Sequence, residues 1–154
     1  MDTQKEYLSQ EKFEQLKAEL NNLKTVERRE VAERLEYAKS LGDLSENAEY
    51  HEARDQQADI EDRIKTIEEL LKSAVIVTQK HGQIVDIGST VVIKKTGGEN
   101  TTYIIVGSEE ADMLAGKVSF QSPLGSALIG KKKGDVVEVN TPKGEIKYSI
   151  VDIK

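Results

Sequence analysis

The feature of the sequence that most constrains its fold is a pair of apolar patterns that mirror each other about residue 44. Apolar residues recur at intervals of three or four, first between Phe13 and Ala38 and again between Tyr50 and Ala74, which is the spacing of one helical face. The matched positions have numbers that sum to 87 or 88: Leu16 with Leu71, Leu20 with Ile67, Leu23 with Ile64, Leu35 with Ala53, and Ala38 with Tyr50. We therefore predict an antiparallel helical hairpin, a coiled coil whose arms of about 30 residues are roughly 45 Å long.

Both ends of the first arm carry local signals. Ser9 is placed to cap the helix, and Leu8 and Phe13 are placed to pack on each other as a hydrophobic staple. Gly42 interrupts the periodic pattern and is expected to end the arm. The tip of the hairpin is therefore predicted at residues 42–46.

The composition changes sharply near residue 80. Residues 1–80 contain 13 basic and 19 acidic side chains, whereas residues 81–154 contain 9 of each. Of the 11 glycines, only Gly42 precedes residue 80, and both prolines follow it. Because glycine and proline mark turns, we predict a helical domain at 1–80 and a turn-rich domain at 81–154, with the boundary within 79–83.

The second domain is predicted to be rich in β-strands. Runs of β-branched residues separated by turn residues indicate strands, and they lie at 90–95, 101–106, 136–139 and 146–150. Val151 and Ile153 then change the phase of the alternation, which indicates a β-bulge. Ser122 and Pro123 are typical of the N-cap and first position of a short helix. The sequence therefore predicts the α+β class, with a small antiparallel sheet packed on one helix after the hairpin.

The composition also excludes several kinds of site. No cysteine is present, which excludes disulfides, zinc–thiolate centres and cysteine nucleophiles. His51 and His81 are the two histidines, and neither belongs to a spaced metal motif. No apolar run approaches the roughly 18 residues of a membrane span, so we expect a cytoplasmic protein with no membrane partner. The net charge of −6 disfavours non-specific coating of nucleic acid.

Asp43 and Glu46 at the predicted tip allow two interpretations. An acidic pair three residues apart at a helix start is typical of a capping box, with Asp43 as N-cap and Glu46 at N3. The same two carboxylates could share a divalent cation, but Mg²⁺ needs further ligands beyond two carboxylates. Any such site would therefore be half a site that a partner completes.

Two arginines of the hairpin have no acidic residue at helical spacing. Arg28 and Arg54 differ in this from most charged residues of the arms, which can form ion pairs four residues apart, such as Glu30 with Arg34 and Glu61 with Lys65. Both arginines could face a nucleic acid or an acidic partner. The alternatives are that they are solvated, or that Arg54 pairs across the hairpin with Glu33 or Glu36.

The predicted tip contains the run LGDLSENAEYHEAR at 41–54, and the second domain contains SPL at 122–124, ALIG at 127–130, GD at 134–135 and TPKG at 141–144. On these residues the sequence resembles that of the bacterial Gre transcript cleavage factors, a family of transcription elongation factors, and is most similar to the GreA branch. The resemblance spans essentially the whole chain. Two positions depart from the family pattern, Gln121 and Ser126, where an acidic residue and an arginine are common.

The resemblance implies a mechanism. The second domain would have an FKBP-like fold and dock on bacterial RNA polymerase through Ser122 and Pro123. The hairpin would enter the secondary channel, where Asp43 and Glu46 would act in catalysis by helping to hold a Mg²⁺ shared with the polymerase, none being bound tightly by the free protein. Arg54 would contact the nascent RNA 3′ end. The protein would be a monomeric cofactor of the polymerase's own RNA cleavage, and not an enzyme itself.

Three other interpretations are compatible with parts of the pattern. The first is an inhibitory channel binder of the same architecture, although such relatives carry extra tip acids where this chain has Leu44 and Ser45. The second is a peptidyl-prolyl isomerase, which needs an aromatic-lined pocket, whereas residues 81–154 contain only three aromatic residues: Tyr103, Phe120 and Tyr148. The third is a coiled-coil adaptor, which explains the hairpin but leaves its acidic tip unexplained.

Overall fold

A computed structural model describes residues 5–43, 45–78 and 82–154. Within these residues the chain forms two compact units. One unit is Phe13–Ser73, and the other combines the chain up to Lys12 with the chain from Ala74 onward. The predicted boundary between residues 80 and 81 lies outside the described residues.

Helices build the first unit. They are α1 at Gln10–Asn22, α2 at Arg28–Ser40 and α3 at Ala48–Lys72, and a π-helical turn at Leu23–Glu27 joins α1 to α2. The Ser9 hydroxyl accepts a hydrogen bond from the Lys12 backbone N–H at 3.1 Å, so Ser9 caps α1 as predicted. No helix among the described residues is both long and apolar enough to cross a membrane.

The π-helical turn was not predicted, and it compensates for an irregular spacing of apolar residues along the first arm. Leu23 and Val31 are both buried although they are eight residues apart, and in a regular α-helix that spacing turns a side chain about 80° away from its partner. A π-helical turn accommodates one extra residue. The turn therefore brings Leu23 and Val31 back to the same face of the arm.

The core of the hairpin follows the predicted mirror pattern. The buried side chains on the two arms are Leu16, Leu23, Val31, Leu35, Ala38, Ala53, Ile60, Ile64 and Ile67. This is the expected result of packing two amphipathic helices against each other, because each arm removes its apolar stripe from water.

Charged side chains bridge the two arms. Arg28 donates two hydrogen bonds to the carboxylate of Glu61, at 2.7 and 2.8 Å, and the contact raises the pKa of Arg28 and lowers the pKa of Glu61. The interpretation of Arg28 as unpaired was therefore wrong. Arg34 likewise bonds to Gln56 on the opposite arm, so the hairpin uses cross-arm contacts where pairs along one helix were predicted.

Two sheets build the second unit. The larger has five strands in the order β5-β4-β3-β7-β6, formed by Lys117–Ser119, Asn100–Val106, Thr90–Lys95, Gly144–Ile153 and Val136–Thr141. The smaller pairs β1, Glu6–Leu8, with β2, Ala74–Ile76. The fold is of the predicted α+β class. The predicted antiparallel sheet is confirmed for three of the four strand pairs of the larger sheet, whereas β4 and β5 run parallel, as do β1 and β2 of the smaller sheet.

The predicted bulge lies in β7. Val92 pairs with Asp152, but the next residue, Ile93, pairs with Ile150, so Val151 is the extra residue of the longer strand. Inward-facing side chains of the larger sheet form the core together with the short helix α4, Pro123–Leu128. Phe120 is buried in this core and therefore cannot line an open isomerase pocket.

β1 and β2 explain why the compact units differ from the predicted domains. Tyr7 of β1 meets Phe120 edge-on, with ring centroids 5.3 Å apart. The Ser9 hydroxyl and backbone N–H both donate to the carboxylate of Glu110, at 2.7 and 2.9 Å. A side chain at Gly107 would meet the Tyr7 carbonyl oxygen at 1.9 Å. The segment around β1 is thus packed into the β unit, although it lies at the other end of the sequence.

Candidate functional site at the hairpin tip

The first arm ends as its sequence predicts. The backbone N–H of Leu41 bonds to the carbonyl oxygen of Ala38 at 3.1 Å and closes the last turn of α2. Gly42 follows with a φ of 130°, a conformation that side-chain-bearing residues rarely adopt. The chain can therefore leave the helix within two residues and enter the tip. Leu44, part of the predicted tip, lies outside the described residues.

Asp43 organises the tip segment that follows. Its Oδ1 accepts hydrogen bonds from the backbone N–H and the hydroxyl of Ser45, at 3.0 and 2.9 Å. Both bonds stabilise the ionised form, with the backbone bond contributing more, and they lower the pKa of Asp43 below its ordinary value of 3.8. Asp43 is exposed and carries its negative charge at neutral pH.

The capping-box interpretation of Asp43 and Glu46 is wrong. Asn47 caps α3: its Oδ1 accepts the backbone N–H of Tyr50 at 3.1 Å, and the helix begins at Ala48. The sequence analysis missed Asn47, although Asn is among the preferred N-cap residues. Glu46 is left exposed, and its side chain has no hydrogen bond or ion pair within the described part of the chain.

The two tip acids provide a donor set that suits a hard cation. Carboxylate oxygens are preferred ligands of Mg²⁺, and neither acid is consumed by helix capping. Within the described ranges, no group of three or more His, Asp or Glu side chains could hold a metal ion. The carboxylates of Asp43 and Glu46 are therefore of the donor type that Mg²⁺ prefers, and two of them are fewer ligands than the ion takes.

Arg54 lies on α3, eleven residues after Asp43, and is exposed. Its Nη1 donates to Oε1 of Gln57 at 3.1 Å, and no ion pair forms to it within the described residues, including the suggested partners Glu33 and Glu36. The structure thus distinguishes Arg54 from Arg28, which is paired across the hairpin. Its guanidinium is available to an anionic partner.

The two predicted docking residues begin α4 in the β unit. Ser122 is the N-cap: its hydroxyl accepts the backbone N–H of Gly125 at 3.0 Å and donates to the carbonyl oxygen of Ser119 at 2.7 Å. Pro123 follows at the first helical position and is exposed. A side chain at Gly125 would meet the Ser119 oxygen at 1.9 Å, so α4 lies closer to β5 than any larger residue permits.

The two positions that depart from the family pattern have local partners. Gln121 accepts a hydrogen bond from the Ser108 hydroxyl at 2.9 Å, and the Ser126 hydroxyl donates to the carbonyl oxygen of Pro123 at 3.2 Å. Both side chains are exposed. Gln121 and Ser126 are therefore neutral, polar and exposed at the two positions where the resemblance leads us to expect an acid and an arginine.

Together these features define an α+β protein that presents two exposed acidic residues on the tip of a helical hairpin and an exposed proline on a β unit. The chain belongs to the GreA/GreB family of transcription elongation factors. Residues 6–76 match the family's "Transcription elongation factor, N-terminal" domain, and residues 79–154 match "Transcription elongation factor, GreA/GreB, C-term".

Curated relatives agree with this assignment over their whole length. The chain is 50% identical over 158 aligned positions to transcription elongation factor GreA of Acetivibrio thermocellus, covering 100% of this chain and 99% of the relative. It is 47% identical, with the same coverage, to GreA of Clostridioides difficile. Among solved structures, GreA factor homolog 1 (Gfh1) of Thermus thermophilus is 29% identical, covers 97% of this chain and 99% of its own, and superposes with a TM-score of 0.45.

Proposed function

We propose that this transcription elongation factor rescues backtracked RNA polymerase by stimulating the polymerase's own cleavage of the nascent RNA. The hairpin enters the secondary channel, and its tip reaches the site where the RNA is cut. The observation that carries the proposal is the placement of the tip acids: Asp43 is exposed and accepts two hydrogen bonds from Ser45, and Glu46 is exposed without a partner in the described chain.

Asp43 and Glu46 are proposed to help hold a Mg²⁺ whose remaining ligands belong to the polymerase. When bound, that ion supplies a polarised water for attack on a phosphodiester. The part played by this chain is to present two negative charges in a defined place. Ser45 hydrogen-bonds to the carboxylate of Asp43, and both acids lie outside the flanking helices, which end at Ser40 and begin again at Ala48.

Arg54 is proposed to contact the extruded RNA 3′ end. A guanidinium matches a phosphate in charge and in hydrogen-bond geometry. Support comes from its exposure and from the neutral character of its only hydrogen-bond partner among the described residues, Gln57. Such a contact would hold the RNA along the hairpin, while Asp43 and Glu46 at the tip would assist its cleavage.

The β unit is proposed to dock on the polymerase, with Pro123 as a contact and Ser122 as the residue that shapes the start of α4. Support comes from the exposure of Pro123 beside a helix end whose position depends on the hydrogen bonds of Ser122 and the close approach at Gly125. This surface supports the prediction that the two domains have separate roles. Residues 81–154 dock on the polymerase, and residues 1–80 bring the tip acids to the site of RNA cleavage.

The inhibitory interpretation is not favoured. The curated relatives at 47–50% identity are named transcription elongation factors, and this tip carries two acids in place of a larger cluster. An isomerase is disfavoured by the burial of Phe120. A coiled-coil adaptor with no role in catalysis would not require two exposed acids, Asp43 and Glu46, that do not cap a helix.

The test is RNA release from purified, backtracked polymerase complexes. We expect the wild-type protein to accelerate cleavage, and we expect Asp43→Asn and Glu46→Gln to lose that acceleration by orders of magnitude while they still compete with wild type for the polymerase. Neither change should lower the melting temperature appreciably, because neither residue caps a helix. Normal cleavage by both variants would show that the tip acids have another role.

A further inference from the structure

Asn47 is the residue that joins the two arms of the hairpin next to the acidic tip. Its Oδ1 accepts from the backbone N–H of Tyr50 at 3.1 Å, at the start of α3. Its Nδ2 donates to the carbonyl oxygen of Ala38 at 2.6 Å, in the last turn of α2. One side chain thus satisfies a free donor at the start of α3 and gives a second hydrogen bond to the Ala38 oxygen, which also accepts from the Leu41 backbone N–H.

The chemistry of the two partners determines the orientation of the amide. A backbone N–H can only donate, and a carbonyl oxygen can only accept. The oxygen of Asn47 must therefore face Tyr50, and its nitrogen must face Ala38. No other side chain of similar size carries both an acceptor and a donor on one planar group, so the position requires an amide.

The location of this bridge relates it to the acids. Asp43 and Glu46 lie between its two anchor points, Ala38 and Tyr50, and Glu46 is the immediate neighbour of Asn47. The other cross-arm hydrogen bonds and ion pairs between side chains of the described residues begin further from the tip, with Arg34 and its partners Glu52 and Gln56. Ala38 itself is 1% exposed, so the anchor on α2 is part of the packed seam.

We propose that Asn47 is a positioning residue for the tip acids: its side-chain amide fastens the end of α2 to the start of α3 and thereby determines where Asp43 and Glu46 are presented. This inference rests on the proposed function. It predicts that the capping bond and the bridging bond of Asn47 have separable effects, since only the bridge fixes the two arms relative to each other at the tip.

Substitutions can separate the two bonds. Asn47→Asp keeps an oxygen that caps α3 and, as a carboxylate, has no hydrogen to donate to Ala38. Asn47→Ser keeps the capping oxygen, but its one hydroxyl sits a bond closer to the backbone than the amide nitrogen that reaches Ala38, and Asn47→Ala loses both bonds. Asn22→Asp is the matched control for the added negative charge, because Asn22 is exposed and makes no side-chain capping bond. Hydrogen exchange at the Tyr50 amide reports whether the cap survives in each variant.

Cleavage by backtracked complexes is then measured over a range of factor concentrations. We expect Asn47→Asp and Asn47→Ser to protect the Tyr50 amide as the wild type does and to half-saturate the polymerase at an unchanged concentration. Their cleavage rate at saturation should fall roughly tenfold to a hundredfold, since displacing a reacting group by about 1 Å can have that effect. Asn22→Asp should match the wild type in every measurement.

Two results would overturn the inference and leave the proposed function standing. One is a wild-type rate at saturation for Asn47→Asp. The other is a loss that appears only as weaker binding or together with exposure of the Tyr50 amide, which would assign Asn47 to helix capping alone. A wild-type protein that does not stimulate cleavage would overturn the proposed function, and the positioning role with it.

Discussion

The carboxylate of Asp43 accepts two hydrogen bonds from a single residue, Ser45, one from its backbone N–H at 3.0 Å and one from its hydroxyl at 2.9 Å. These two bonds tie Ser45 to Asp43 at the hairpin tip. Because both bonds favour the ionised carboxylate, the pKa of Asp43 is lowered. Ser45 therefore acts on the charge of the tip as well as on its shape.

Ser45→Ala should raise the pKa of Asp43 part of the way to its ordinary value of 3.8. The rise should be partial, because the alanine keeps the backbone N–H, which is the larger cause of the shift. Titration of the Asp43 side-chain carbon by NMR measures it. An unchanged pKa would show that the hydroxyl bond has no influence.

The sign of the pH dependence follows from the same shift. A carboxyl whose pKa is lower in the folded state stabilises that state at pH values above its unfolded pKa, and the contribution is lost as the pH falls through the folded pKa. Ser45→Ala should therefore change how the free energy of unfolding varies with pH below about pH 4. Near neutrality the free energy of unfolding should vary with pH as it does in the wild type.

Arg54→Ala should lower cleavage at limiting factor concentration by severalfold and leave the melting temperature unchanged, because Arg54 bonds only to Gln57 among the described residues. The loss should be smaller than that of Asp43→Asn, since the acids remain in place. Lys65→Ala is the control: it removes one positive charge from an exposed position on the same helix, eleven residues further from the tip. Equal losses for both variants would indicate a general charge effect and no specific RNA contact.

Pro123→Ala and Ser122→Ala should both weaken binding to the polymerase, but with different effects on folding. Ser122 caps α4, and removing an N-cap costs about 1 kcal/mol, so its variant should also melt at a lower temperature. Pro123 is exposed, and its variant should melt close to the wild type. Competition against labelled wild-type protein, measured beside thermal melts, tests both. If Pro123→Ala competed as well as the wild type, Pro123 would not be part of the interface with the polymerase.

Tyr7→Ala should destabilise the β unit by roughly 1–2 kcal/mol, through lost burial and through the lost edge-on contact with Phe120. Tyr37→Ala is the matched control, because Tyr37 is 64% exposed in the hairpin and its loss should have little effect on stability. Denaturant unfolding of both variants provides the measurement. If the two tyrosines behaved alike, β1 would not be part of the β unit's core.

The hairpin could be predicted from the sequence because its stability depends on one periodic property. Each arm needs only an apolar residue at every third or fourth position, and Leu16, Leu35 and Ile64 occupy such positions and are buried. The end of α2 near Gly42 and the start of α4 at Ser122 were predictable for a related reason. Capping and turn formation depend on residues that are close together in the chain.

The remaining features depend on residues that are distant in the chain. Arg28 was interpreted as unpaired because its partner, Glu61, lies 33 positions away on the other arm. β1 and β2 are three residues each and are separated by the whole hairpin, so neither has a local signal of its own. The parallel pairing of β4 with β5 could not be predicted either, because alternation of apolar and polar residues within a strand does not indicate the direction of its neighbour.

The sequence by itself determined the periodic and local features of this protein: two helical arms about a glycine, strands punctuated by turns, and two acids between the arms. Only the tertiary structure decided how those acids are held. Sequence spacing is compatible with Asp43 and Glu46 as a helix cap, but the cap is Asn47, because its amide can bond to Tyr50 and to Ala38 at the same time. That choice depends on where the end of one helix lies relative to the start of the next, and such a relation exists only once the arms have packed.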